Sequence, residues 1–223
     1  SSAAAGLFVL GVGLYVLDGR LHTVAEPALG VNGVGVGAGD PHVDGRQVMV
    51  KVGIETLLWA AISLAAVCVV FRIAGPLRDI EPDVTGHRPS PWLSGDAIRS
   101  AACGVLVLPL VWVIAQSPMK GQMIAATFFG SVLAGLAGRL VSPHVQPMLL
   151  FISPMVFGAL AQIVAAMMFK PPLDVAFATQ TLSKFSLVMP LDYAAGSLAG
   201  VAFGLGWARS FLHHEEDAVP SPT

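Results

Sequence analysis

Long apolar runs, broken by short polar interruptions, dominate the chain from its first residues to about residue 212. A helix needs about 20 largely apolar residues to cross a hydrocarbon core about 30 Å thick. Six stretches approach that length: residues 3–17, 54–71, 100–115, 121–141, 147–169 and 193–212. Asp18 and Arg20 end the first, and the second lies between Glu55 and Arg72. The third opens at Arg99 and closes on Gln116-Ser117-Pro118. Arg139 stands near the end of the fourth, the fifth carries no charge, and only Arg209 interrupts the sixth. Backbone groups in lipid must be satisfied within the segment, so the stretches are predicted as helices. The fold class expected is all-α: a polytopic integral membrane protein with six transmembrane helices, in a single membrane domain over residues 1–223. Residues 1–17 reach only about 25 Å as a helix, so a further preceding turn is expected. A cleavable signal peptide fits less well, since no basic region precedes this stretch.

The polar segments read differently. Residues 18–53, with Gly30, Gly33, Gly35, Gly37, Gly39 and Asp40-Pro41, predict an extended glycine-rich loop. Residues 72–97 are rich in Pro, Asp and Arg, and Trp92 suits a headgroup-level anchor. In residues 171–191, Phe177, Thr181, Phe185 and Val188 recur at helical spacing, which predicts a short interfacial helix. Residues 213–223 form a polar tail.

Composition sharpens the class. Apolar residues make up 55% and charged residues 12%, about half the charged share of a soluble domain. Mean hydropathy is +0.74. With 12 Lys+Arg against 14 Asp+Glu and a net charge of −2, the chain lacks the basic footprint of a nucleic-acid binder. Disordered proteins and soluble cytosolic enzymes are excluded on the same grounds. The Lys/Arg count gives no orientation. Arg72, Arg78, Arg88, Arg99, Arg139 and Arg209 fall on one side, and Arg20, Arg46, Lys51, Lys120, Lys170 and Lys184 on the other. The glycine-rich loop has the look of an external segment, which would leave both termini inside.

Small residues recur every fourth position in two of the stretches: Gly130, Ala134, Gly138, and Gly196, Gly200, Gly204. Such stripes let another helix backbone approach closely. The sequence leaves open whether they meet this chain or a foreign subunit. Pro109 and Pro154 interrupt two helices, and Gln162 is the one large polar group at depth. Together these three mark a candidate cavity. The end charges Glu55, Asp192, Arg72, Arg139 and Arg209 each match the helix dipole in sign. Nothing ionisable lies mid-span, which disfavours proton relays and ion pathways.

No catalytic, cofactor-binding or metal constellation emerges. His22, His42, His87, His144, His213 and His214 all fall in loops or the tail, which disfavours a haem held between helices. The tail His213-His214-Glu215-Glu216-Asp217 lacks the geometry of a closed metal site. Gly30–Gly39 lacks the Gly-Lys-Ser/Thr ending of a phosphate loop. Ser131 and Ser197 follow glycines, but no histidine lies on a span to serve as base. Asp79, Glu81, Asp83, His87 and Asp96 form the densest acidic group, as expected of a solvated loop. Cys68 and Cys103 should lie at similar depth as small apolar residues, without a structural disulfide. The function expected is a non-catalytic membrane subunit, needing no cofactor, that anchors or assembles a larger complex. Its partners would be membrane lipids and other membrane subunits or copies of itself. The alternative is a small transporter or solute-binding component for a neutral or hydrophobic compound.

Overall fold

A computed structural model of the chain describes residues 2–18, 45–77, 93–168, 175–176 and 179–216. All regular structure among them is helical. The elements are α1 (Ser2–Asp18), α2 (Gly45–Ala74), α3 (Gly95–Ala102), a 3₁₀ turn (Cys103–Leu106), α4 (Val107–Ile114), α5 (Lys120–Val141), α6 (Met148–Met168), α7 (Lys184–Leu187) and α8 (Pro190–Glu216). The glycine-rich loop, the segment around Trp92 and the tail from residue 217 lie outside the described residues.

Among the described residues, four helices are long and apolar enough to cross a membrane: Arg46–Ala74, Gly95–Ile114, Lys120–Val141 and Met148–Met168. The six-span expectation therefore meets four long apolar helices, a shorter apolar one over Ala3–Val16, and α8. That helix runs for 27 residues but is diluted by glycine, serine, Asp192, Tyr193 and Arg209. Its position explains the dilution. Every residue from 192 to 202 is buried by neighbouring helices, so its side chains answer to protein rather than to solvent or lipid.

Two boundaries differ from the sequence reading. The second helix begins at Gly45, well inside the expected loop over residues 18–53. Met49, Gly53, Thr56, Ala60, Ser63, Val67 and Phe71 are all buried, at the helical spacing of three and four. Arg46, Lys51 and Glu55 point outward from the same turns. The third helix starts at Gly95, where Ser94 caps it by accepting a 3.1 Å hydrogen bond from Ala97 N. It tightens to 3₁₀ at Cys103–Leu106, in the turn preceding Pro109, the third residue of α4. The proline ring cannot sit against the carbonyl of Val105 in an undistorted helix, and it brings no N–H to bond it.

The small-residue stripes meet this chain. A Cβ at Gly196 would stand 2.6 Å from the Thr127 Cβ, at Gly200 2.5 Å from the Phe128 carbonyl oxygen, and at Gly204 2.2 Å from that of Val132. Partner positions rise together, so α5 and α8 run parallel with their backbones almost touching. The stripe on α5 faces elsewhere: Gly130 abuts Val107 and Leu110 of α4, while Gly138 abuts Leu150 of α6 and Ser100 of α3. Ala134 is fully buried beside them. On the far side of α8, Gly11 of α1 lies against Ala195 and Ala199. Ser131 faces Gly200, and its buried hydroxyl has no hydrogen-bond partner among the described residues, so the position calls for small size rather than polarity.

Gly200→Ala and Gly204→Ala are each expected to cost about 1–3 kcal/mol through overpacking. Ser131→Ala should be nearly neutral, as should Gly206→Ala, whose Cβ would meet nothing within 4 Å. Thermal unfolding of the detergent-solubilised protein checks this ranking. Equal losses at Gly204 and Gly206 would contradict it.

Candidate functional site

The three residues expected to line one cavity are not brought together. Pro109 is exposed on α4, whereas Pro154 and Gln162 are buried on α6. Pro154 frees the carbonyl of Leu150, and that oxygen accepts a 3.1 Å hydrogen bond from Ser153 Oγ. The break in the ladder is thus satisfied internally. Gly104, in the 3₁₀ turn, rests directly on Ser153, so the irregular stretches of the third and fifth predicted spans touch each other.

Gln162 belongs to a polar network at one end of the bundle. Its Nε2 donates to the Val188 carbonyl at 2.7 Å, and its Oε1 accepts from Thr56 Oγ1 at 2.7 Å. One side chain thereby ties α6 to α2 and to the approach to α8. Lys120, the first residue of α5, sits 3.1 Å from Asp192 Oδ1, and the aspartate side chain is fully buried. Asp192 Oδ2 also accepts from Met189 N at 2.9 Å, closing the start of α8 as a residue in its third position can. The sequence offered Asp192 as a dipole-matched end residue; its partner, 72 positions earlier in the chain, carried no local signal.

The interfacial helix expected over residues 171–191 takes another form where it is described. Gln180 adopts φ +56°, which stops a continuous helix, and only the single turn α7 follows. Leu182, Leu187 and Val188 turn into the core. Lys184 Nζ donates to Gln116 Oε1 and lies 5.2 Å from the Trp112 ring centroid, and Phe185 packs on the same ring. This strap clamps the end of α4. Phe177 lies outside the described residues.

At the opposite end, a groove of about 870 Å³ opens between α1 and α8. Its walls are apolar: Ala4, Ala5, Phe8 and Val9 from α1, and Ala202, Phe203, Leu205 and Trp207 from α8. Two guanidinium groups line it as well, from Arg139 at the end of α5 and Arg209 of α8. Arg139 is 94% withdrawn from solvent (6% exposed), and its Nη1 donates to the Pro143 carbonyl. Arg139 stands in the last turn of α5, as an end charge would, whereas α8 continues past Arg209 to Glu216; the groove between them depends on how α1 leans on α8, which no local pattern encodes.

Of the remaining sequence candidates, Asp96 is the only described member of the acidic group, and it pairs with Arg99 at 3.2 Å on the surface. Cys68 and Cys103 are free thiols, both half-buried. Among the described residues no three metal-ligating side chains gather. Compared with family models, curated proteins and solved structures, the chain matches none.

Removing one charge from a buried pair leaves the other uncompensated. Asp192→Asn keeps an acceptor for Met189 N while deleting the charge, and is expected to cost about 3–5 kcal/mol. The double variant Lys120→Met/Asp192→Leu should recover much of that loss. Denaturant unfolding in detergent checks this, and a double variant less stable than Asp192→Asn would contradict it.

Proposed function

We propose that the chain is an integral membrane protein crossing the bilayer six times, with α1 and α8 joining the four long apolar helices. In this reading it is a non-catalytic subunit that anchors or assembles a larger membrane complex. The observation that carries the proposal is the filling of the bundle interior. Gly11 of α1, Gly130 and Gly135 of α5, Gly158 of α6 and Gly196, Gly200 and Gly204 of α8, together with Gly104 in the 3₁₀ turn, sit so close to neighbouring helices that an added methyl group would force them to shift. A bundle filled in this way leaves its chemistry to its outer faces, where membrane lipids, other membrane subunits or further copies of the chain would meet it. The sealed break at Pro154 supports the same reading, because broken helices that serve a transported substrate leave backbone groups available to it.

A second reading, a solute-binding membrane component for a hydrophobic compound, draws on the groove between α1 and α8. Extraction from native membranes in a mild detergent, followed by native mass spectrometry, separates the two. Recovery with foreign subunits at fixed stoichiometry is expected. Recovery alone, or solely as copies of itself, would overturn the assembly role and favour the second reading.

A further inference from the structure

The strap between α6 and α8 is held differently from the helices it joins. Leu182, Ser186 and Leu187 are buried, and the single turn α7 lies against α4 and α6. Among the described residues, only one hydrogen bond joins residues 182–187 to another element, from Lys184 Nζ to Gln116 Oε1. The backbone bonds within the segment, as Ser186 N does to the Ser183 carbonyl. The rest of the clasp is aromatic: Lys184 Nζ lies 5.2 Å from the Trp112 ring centroid, and the Phe185 ring 5.8 Å from it. These contacts sit at the surface, where a cation–π contact and an exposed polar pair are each weak. The flanks are anchored more firmly. Before the segment, Thr181 N donates to the Ala176 carbonyl at 2.9 Å. After it, the Val188 carbonyl accepts from Gln162, and Met189 N donates to Asp192 Oδ2. A segment fixed at both ends and clasped weakly in the middle opens locally before the helices do. Closure also leaves the buried Ser186 hydroxyl without a partner among the described residues, a loss that water makes good on opening.

We propose that residues 182–187 form a lid at this end of the bundle, latched shut by Lys184, and that its opening admits water to the network of Gln162 and Thr56 while the helices stay packed. Val188 links lid and network: it follows the lid directly, is fully buried, and gives its carbonyl to Gln162. The inference rests on how the strap is held, and on neither the subunit role nor the number of membrane crossings.

Thiol accessibility reads the opening. In a chain carrying Cys68→Ala and Cys103→Ala, single probes are introduced as Ser186→Cys in the lid, Thr56→Cys in the network and Ser100→Cys on α3, all at buried positions. The full chain, in nanodiscs of dioleoyl phosphatidylcholine, is treated with a charged, water-soluble maleimide, and the rate of modification is followed by mass spectrometry. Lys184→Met keeps an unbranched side chain but deletes its charge and donors. It should speed modification of Ser186→Cys and Thr56→Cys about tenfold, the worth of one charge-assisted hydrogen bond, and leave Ser100→Cys unchanged. Lys184→Arg retains charge and donors and should restore the slow rate. An equal rise at all three positions would mean that the whole bundle loosens, and would overturn the lid. No rise at Ser186→Cys would overturn Lys184 as the latch. A rise there without one at Thr56→Cys would overturn the access of water to the network.

Discussion

The parallel contact of α8 with α5 governs the rest of the structure. Along three helical turns, positions that carry no side chain bring the α8 backbone against the Phe128 and Val132 carbonyls and the Thr127 and Ser131 side chains. Lipid tails are as apolar as leucine, so burying methyl groups between membrane helices gains little; close packing has to supply the attraction. At Gly200 and Gly204 the glycine hydrogens point towards carbonyl oxygens, a geometry suited to weak Cα–H···O contacts of about 0.5–1 kcal/mol each. With α8 fixed in this way, its opposite face receives Gly11 of α1, and its Tyr193 ring fills the space left by Gly158 of α6. The central helix is therefore defined by what it lacks on one side and what it presents on the others.

That arrangement explains how unevenly the fold is legible in the sequence. Apolar length announces the more exposed helices, α2 and the α3–α4 stretch, and the more enclosed α5 and α6 alike. The central helix, legible as the stretch 193–212, gives a weaker signal, because residues enclosed by protein need fit and small volume more than hydrophobicity, and glycine, serine and Asp192 lower its apolar content. The start of α2 was hidden for the opposite reason. Lys51 and Glu55 broke the apolar run, although Met49, Gly53 and Thr56 kept the helical spacing that buries one face. Read by period instead of by run, that helix extends back towards Gly45.

The same distinction separates the polar residues. Gln162 could be recognised as a group at depth in need of partners, and it has them in Thr56 and Val188. Which partners it finds depends on how distant segments meet. Likewise Asp192, Arg72 and Arg139 were readable one at a time as end charges, whereas Glu55 lies inside α2 and Arg209 short of the end of α8; the pairing of Lys120 with Asp192 and the sharing of one groove by Arg139 and Arg209 are tertiary facts. The stripes were legible as contact faces, yet their occupants were not. Two similar glycine series do not meet as equals: one packs on α5, and the other packs on α3, α4 and α6. A bundle closed upon itself in this manner has used its small-residue faces internally, which directs attention to its outer groove and its polar ends.

The fold depends on α8 packing against α5 of the same chain. Phe128 and Phe203, whose ring centroids lie 6.0 Å apart, offer cysteine positions that leave the glycines untouched. With Cys68 and Cys103 replaced by alanine, Phe128→Cys/Phe203→Cys should be bridged by a short bifunctional thiol reagent within single chains in native membranes. Bridges joining two chains, or none while both thiols react singly, would contradict it.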